Sequence, residues 1–481
     1  MEKLETVIGL EIHVELKTAS KMFCSCKNDS MSTEPNINVC PTCMGMVGTL
    51  PLLNKRAFEQ TVHLASALKS TISRHTKWDR KSYFYPDLPK GFQISQFDLP
   101  IGQGGEVFFP FNNTLHSVRM TRVHLEEDAA KSVHGVDKTF IDFNRSSVPL
   151  VEMVTEPDLR SAEEAKALLK AIRRLVKDLG ISDADMEKGQ MRCDASISLR
   201  KFGEEKLYSR VEIKNLNSFR SVESALKYQE EKLKIEWQSG TYPEMASTVL
   251  WNDERMATYP MRTKETAADY RYFPEPDIPV VKLSEEAITC LTKDCPRLRK
   301  DEFSKLIEEG VDIIKLLSLL DSTELFWSFA DLCKKIESKE EKDLALNFYI
   351  TEVPLLFETY GSIPFSEDEM LLLIKKVNEG IIPVSTAKKF LSFCKKNNDL
   401  AKCINDFETL VCSEKVDLSQ VVTNVLSKNT SLVNQYLVGE EKVLQAFIGL
   451  VMRETKGMFS GREISDTIHK TLEAMRQQKN K

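Results

Sequence analysis

The feature that constrains this chain most is a run of strict alternation close to its start. Ile8, Leu10, Ile12, Val14 and Leu16 are apolar, and Gly9, Glu11, His13 and Glu15 fall between them. Successive side chains on a strand point to opposite faces, so the pattern predicts a half-buried strand whose outer face carries two carboxylates and an imidazole. Met191 to Leu199 repeats the pattern, with Met191, Cys193, Ala195, Ile197 and Leu199 inward and Arg192, Asp194, Ser196 and Ser198 outward. Its predicted hairpin partner is Tyr208 to Lys214, with Val211 and Ile213 inward and Arg210, Glu212 and Lys214 outward. These polar rows can share one sheet face.

Helices interrupt the strands. Ser161 followed by Glu164 reads as a capping box, opening a helix with Ala165, Leu168, Leu169, Ile172, Leu175, Val176 and Leu179 on one stripe and Gly180 at its end. Further helices are predicted from Lys55 to about Lys69 behind a cap at Asn54, and from Ser218 to Ile235. Strands and helices mix without regular alternation, which predicts an α+β fold with a sheet-based cradle rather than a doubly wound sheet. Beyond Ser284 nearly every periodic segment is helical, including one opened by Ser366 and Glu369 and closed by Gly380 and Pro383. The expected division of the 481 residues is a cradle domain over 1–285, a helical domain over 286–405 and a small helical tail over 406–481.

Formal net charge is −6, and no 18-residue apolar run or signal-type apolar stretch follows Met1, whose neighbours Glu2, Lys3 and Glu5 are charged. The expectation is a cytoplasmic protein with no membrane segment and no DNA-packaging role. RNA stays open, because the last 29 residues hold seven Lys/Arg against four Asp/Glu. Seven of the eleven cysteines (Cys193, Cys290, Cys295, Cys333, Cys394, Cys403 and Cys412) are scattered singly and read as reduced thiols. The other four, Cys24, Cys26, Cys40 and Cys43, are spaced C-x-C-x13-C-x2-C. Two close thiol pairs suit one tetrahedral structural zinc, and four reduced thiols without metal are the alternative.

Carboxylates recur in three stretches of the N-terminal third. Glu11 and His13 share a strand face, where they could hold a divalent cation, act as acid and base, or simply be solvated. In Val123-His124-Leu125-Glu126-Glu127-Asp128, alternation puts Glu126 on the face of His124, whereas a bulge or strand end would hand the role to Glu127. Glu152 sits inside the apolar run Val148 to Val154, and a buried carboxylate needs a cation, a metal or a hydrogen-bond network. A magnesium cluster would satisfy all these groups together. Arg192, Arg210 and Lys214 beside Asp194 and Glu212 could hold phosphates or form a cross-strand ladder of ion pairs. There is no G-x-x-x-x-G-K-[ST] loop and no kinase Gly-rich loop, and Gly102-Gln103-Gly104-Gly105 reads as a turn. The loops DRKSYFYPD (Asp79 to Asp87) and DYRYFPEPD (Asp269 to Asp277) could stack on a base, but their composition favours rigid packed loops.

Together these strings closely resemble the B subunits of the aspartyl/glutamyl-tRNA amidotransferases. They are ETVIGLEIHVELKT (from Glu5), DRKSYFYPDLPKGFQISQFDLPIG (from Asp79), VHLEEDAAKSVH (from Val123), NRSSVPLVEMVTEPDLRS (from Asn144), MRCDASISLR (from Met191), VEIKNLNSF (from Val211), DYRYFPEPD, and, near the end, GLVMRETKG (from Gly449). The resemblance implies a ligase component of a heterotrimer, whose other members are an amidase (glutaminase), which frees ammonia from glutamine, and a small third subunit. Such a protein binds misacylated Glu-tRNA(Gln) or Asp-tRNA(Asn), activates the side-chain carboxylate with ATP as an acyl phosphate, and lets ammonia displace phosphate. Matched by motif, Glu11, His13, Glu126, Glu127 and Glu152 fall on the family's magnesium site, Lys81 on its ammonia route, and Cys24, Cys26, Cys40 and Cys43 on a zinc knuckle that only some members have. Arg192, Asp194, Arg210 and Lys214 are inferred contacts of nucleotide and substrate. The helical middle and tail resemble tRNA-supporting modules, although Met458-Phe459-Ser460-Gly461 departs from the usual continuation after TKG. The rival expectation is a non-catalytic protein that binds tRNA or assists assembly of such a complex. Sequence does not decide between the two charged tRNAs.

Overall fold

A computed structural model of the chain describes residues 3–31, 34–263, 270–393, 400–406, 417–437, 443–455, 459 and 461–479. Met1, Glu2, Asp269, Cys394, Cys412, Met458 and Ser460, which entered the sequence reading, lie outside the described residues, as do Asn480 and Lys481. The chain divides into two compact units, Met1–Asp301 and Glu302–Lys481.

In the first unit the strands are, in chain order, β1 (Leu4–Glu15), β2 (Thr71–Ile72), β3 (His75–Thr76), β4 (Asp79–Ser82), β5 (Phe92–Ser95), β6 (Gly102–Gln103), β7 (Glu106–Phe111), β8 (Thr114–Glu127), β9 (Lys131–His134), β10 (Thr139–Asp142), β11 (Pro149–Thr155), β12 (Met191–Lys201), β13 (Val211–Leu216), β14 (Ser247–Asn252), β15 (Ala257–Thr263), β16 (Phe273–Pro274) and β17 (Val281–Lys282). Ten of them form one sheet in the order β15-β14-β13-β12-β1-β11-β8-β6-β2, with β7 added on β8. Its pairings are antiparallel apart from β13 with β14. The α+β expectation therefore holds, since a doubly wound fold would have a mainly parallel sheet.

The central strand is the alternating run read from the sequence. Ile8, Leu10, Ile12 and Val14 are at most 2% exposed and belong to one core with Val62 and Leu64 of helix α1 (Lys55–Ala67), Leu168, Leu169, Ile172 and Val176 of α2 (Ala162–Asp178) and Val222, Leu226 and Leu233 of α3 (Phe219–Ser239). With these helices on the apolar face, the opposite face of β1 is left for polar side chains. The caps follow the sequence closely. The Ser161 hydroxyl accepts from the Glu164 amide, while the Glu164 carboxylate accepts from the Arg160 amide, one residue earlier than a standard capping box. Ser218 caps α3, and Gly240, at φ 72°, ends it.

The hairpin partner of β12 begins three residues later than expected, at Val211. A bulge explains its course: Cys193 pairs with Leu216 and Ala195 with Ile213, so Lys214 and Asn215 together oppose Asp194. Asn215 takes the left-handed conformation, φ 65°, that this extra residue requires.

In the second unit every described element is a helix. Its buried apolar residues form two clusters, one running from Phe303 to Ile404 and one from Val422 to Leu472. Ser366 and Glu369 make the full capping box that their spacing predicts. Among the described residues no helix is long and apolar enough to cross a membrane.

Candidate functional site

The site is set out in rows that cross the sheet. Arg192 on β12 opposes His13 on β1, His13 opposes Glu152 on β11, and Glu152 opposes His124 on β8. Register partners in an antiparallel ladder point to the same face, so four side chains from four strands stand side by side away from the α2 layer. One step along β1, Glu11 opposes Asp194 and Val154, and Val154 opposes Arg122. One step the other way, Glu15 opposes Leu150, which opposes Glu126.

The acids and imidazoles converge. His13 Nε2 lies 3.2 Å from Glu152, 3.6 Å from Glu11 and 3.9 Å from Glu126. His124 Nε2 lies 3.1 Å from Glu152 and 3.4 Å from Glu126. Burial acts to push both imidazoles down, but the neighbouring carboxylates, Glu152 foremost, outweigh it and raise both to about 9. Burial likewise opposes ionisation of Glu152, yet His124 and His13 hold its carboxyl well below the usual carboxylate range. Glu126 is held down as well, with His124 as its main charged partner, and it accepts a 2.7 Å hydrogen bond from the Ser95 hydroxyl.

One ligand atom from each of Glu11, His13 and Glu152 lies within 4.8 Å of the others, and the same is true of His124, Glu126 and Glu152. Carboxylate oxygens and imidazole nitrogens at this spacing fit a divalent cation, and the buried Nδ1 of His124 has no hydrogen-bond partner among the described residues, so that within them the ring is oriented by its acid neighbours.

Glu127, the alternative to Glu126, faces elsewhere. It is ion-paired with the Lys90 ammonium and accepts a 2.9 Å hydrogen bond from the Ile94 amide. Arg192 shares the row of His13 but turns its guanidinium to Asp128. Lys214 is paired with Asp194 across the bulge and lies 3.0 Å from Glu212, so the ladder of ion pairs exists here. Arg210 precedes β13 and forms no ion pair among the described residues.

A cavity of about 310 Å³ opens over the cluster, and Glu11, Glu152, His124, Arg122, Lys81 and Lys214 are among its walls. Lys81 reaches it from β4, which pairs with β16, so that the two aromatic loops join in one small sheet. Arg80 holds them together through a two-point contact with Glu275 at 2.7 and 2.9 Å. The Lys81 ammonium lies 5.0 Å from the Tyr270 ring centre and 5.9 Å from that of Tyr83. Burial alone would lower its pKa, but the charges of Glu126 and Glu152 hold it above the ordinary lysine range.

The four knuckle cysteines also converge, with their sulfurs within 4.8 Å of one another. The Cys40 amide donates to Cys43 Sγ at 3.1 Å, and buried Lys21 lies 4.0 Å from the same sulfur. A hydrogen bond from Cys24, then the Cys40 amide and Lys21, outweigh burial and bring the Cys43 thiol down to about 5. A thiolate among three thiols is a donor set that fits zinc.

Sequence reasoning placed His124 on the face of Glu126 without giving it a role, and did not single out Arg122, Ser95 or Lys90. For the first two the signal was present: Arg122, His124 and Glu126 share parity on one strand. Ser95 and Lys90 act across 31 and 37 residues, with no local signal.

Comparison with known proteins shows the family of the chain. The family described as GatB/GatE catalytic domain matches residues 6–289, and the one described as GatB domain matches residues 329–472. The chain is 38% identical over 475 residues to the aspartyl/glutamyl-tRNA(Asn/Gln) amidotransferase B subunit of Campylobacter jejuni (strain RM1221), covering 97% of this chain and 99% of the relative. It is 37% identical over 476 residues to the protein of that name from Campylobacter hominis, covering 97% and 100%. The Thermodesulfovibrio yellowstonii protein of the same name is 38% identical over 475 residues, covering 97% and 99%. The resemblance drawn from the strand and loop motifs thus extends through both units, and the chain belongs to the GatB/GatE family of tRNA amidotransferase B subunits.

Proposed function

We propose that this protein activates the side-chain carboxylate of Glu-tRNA(Gln), Asp-tRNA(Asn) or both with ATP, and amidates it with ammonia delivered by a glutaminase partner. The observation that carries the reading is the convergence of Glu11, His13, His124, Glu126 and Glu152 beneath a cavity walled by Arg122, Lys81 and Lys214. In the first step a carboxylate oxygen of the aminoacyl group forms a bond to the γ-phosphorus of ATP, the bond to the β-phosphate oxygen breaks, and ADP leaves. In the second, ammonia attacks the carbonyl carbon, phosphate departs, and the nitrogen loses a proton. Both steps need charge neutralised and reactants aligned more than they need covalent help.

Glu11, His13, Glu126, His124 and Glu152 would hold a divalent ion such as magnesium, which when bound would offset negative charge on the transferred phosphoryl group. Arg122, Arg210 and Lys214 lie where phosphate oxygens would need cations. Arg192 and Asp194 have a supporting part: Arg192 steadies Asp128, and Asp194 fixes Lys214. Glu127 locks Lys90 at the end of β8. Lys81 and the tyrosines beside it form the wall on which we place the entry of ammonia.

Cys24, Cys26, Cys40 and Cys43 would hold a structural zinc, since no open ligand position or general base accompanies them. The helical part beyond the cradle, and the tail after residue 406 with its local positive excess, are the segments we assign to the tRNA body. The working form is a cytoplasmic heterotrimer with an amidase and a small third subunit. The test is amidation by the reconstituted complex with each charged tRNA, ATP and glutamine. Amide formation that needs all three supports the reading, and a complex that binds charged tRNA but never consumes ATP would leave only an RNA-holding role.

A further inference from the structure

Lys21 is fully buried, at 0% exposure, and among the described residues no carboxylate lies within ion-pairing distance of it. The other two buried cations of the described residues are paired: Arg299, 3% exposed, lies 2.7 Å from Asp178, and Lys342, 8% exposed, lies 2.9 Å from Glu309. A buried ammonium without an anion is costly. The Lys21 ammonium donates instead to the Phe143 carbonyl at 3.2 Å and lies 4.0 Å from Cys43 Sγ in the cysteine knuckle.

Its place is set by the backbone. The Lys21 amide donates to the Cys26 carbonyl at 2.9 Å, Ser20 and Lys27 pair in an isolated antiparallel bridge, and the Asn54 side-chain amide donates to the Lys21 carbonyl at 3.1 Å. A fixed stretch of chain therefore delivers the ammonium to Cys43. The Ser146 hydroxyl donates to the Cys43 carbonyl at 3.2 Å, so Lys21 and Cys43 are anchored on the same turn, 143–147, which leads into β11 and Glu152.

The anion this ammonium needs is a thiolate. Metal binding deprotonates thiols outright, and four thiolates around one Zn2+ leave two negative charges uncancelled. Those charges would sit beside Cys43, which is 1% exposed, where water cannot offset them. We propose that Lys21 is the counter-ion of the zinc–thiolate knuckle, offsetting part of this charge through Cys43 and so setting the affinity of the site for its metal. The inference rests on the structural-zinc reading above. Outer partners of metal ligands commonly change affinity by about 10–100-fold, and here the partner carries a full charge. A purely structural lysine, held for its bond to the Phe143 carbonyl, would be replaceable by any side chain that donates there.

The test is zinc affinity of the full-length protein in complex with its partners, stripped of metal and titrated against a chromophoric chelator. Lys21→Met removes charge and donor, Lys21→Gln keeps a donor, and Lys21→Arg keeps the charge. Lys21→Met and Lys21→Gln should each weaken zinc at least about tenfold, and Lys21→Arg no more than about threefold. Saturating cobalt(II) should give the same thiolate charge-transfer absorption per metal in wild type and variants, because the four ligands are unchanged. A Lys21→Gln protein with wild-type zinc affinity would overturn the proposal, and so would a Lys21→Arg protein as weak as Lys21→Met. Weaker cobalt absorption in the neutral variants would overturn it too, since Lys21 would then shape the ligand set rather than balance its charge. Should Lys21→Met not fold, the ratio of Lys21→Gln to Lys21→Arg decides. Should neither neutral variant fold, wild-type affinity of Lys21→Arg supports the role of charge and its loss overturns it. A wild type that holds no zinc would instead sink the zinc reading itself.

Discussion

His13 Nε2 lies 3.2 Å from Glu152 Oε2, and the two residues are direct register partners across the β1–β11 ladder. Their separation is therefore set by the backbone of two central strands and not by long flexible side chains. The same holds for Glu152 and His124 on the next strand. A site built on adjacent strand positions is fixed before any ligand arrives.

That relationship makes the metal-free protein sensitive to alkali. His13 and His124 are raised to about 9 in the fold, above the ordinary 6.5. A raised histidine pKa adds stability that is full below the unfolded value and is lost as pH climbs through the folded one. Thermal unfolding in chelator should therefore fall between about pH 6.5 and 9, by a few kcal/mol at most for the pair. Added magnesium should restore more stability at pH 9 than at pH 6.5, because the ion competes with those protons. A melting temperature flat across this window would contradict the assignment.

Two imidazoles make the donor set softer than the all-oxygen shell magnesium prefers, so manganese should bind the cluster more tightly. Titration of the metal-free protein should give a lower Kd for Mn2+ than for Mg2+. His124→Gln should narrow the gap, and an unchanged gap would remove His124 from the ligand set.

Glu126 and Glu127 should separate cleanly. Glu127→Gln leaves the Lys90 ammonium, 9% exposed, without its partner. It should cost about 3–5 kcal/mol of stability in denaturant unfolding. Glu126→Gln should unfold near the wild type yet lose activity in the amidation assay. The reverse pattern would move the metal site to Glu127.

For the knuckle, metal analysis of the purified protein should find one zinc per chain, absent from Cys40→Ser and Cys43→Ser. Limited proteolysis should then cut those variants first between residues 20 and 50. Full zinc content in both variants would leave the cysteines as bare thiols.

Much of this site could be read from the chain because it lies on strands. Parity alone placed Glu11 with His13 and Glu126 with His124, and the apolar run around Glu152 called for a cation, a metal or a hydrogen-bond network. The same parity offered Arg122, but an arginine on a half-exposed strand is too common to stand out. The choice between Glu126 and Glu127 depended on Lys90, which reaches Glu127 from a loop thirty-seven residues away. The pairing of Lys214 with Asp194 depended on a bulge at Asn215, and alternation cannot foresee an extra residue.

The most direct measurement is transfer of labelled γ-phosphate from ATP to charged tRNA by the reconstituted complex, without glutamine, for the wild type and Glu126→Gln. The account predicts that transfer falls at least about 100-fold in the variant while charged-tRNA affinity stays within roughly threefold. Transfer at the wild-type rate would mean that the acid–imidazole cluster does not steer the phosphate, and the catalytic role given to this face of the sheet would be wrong.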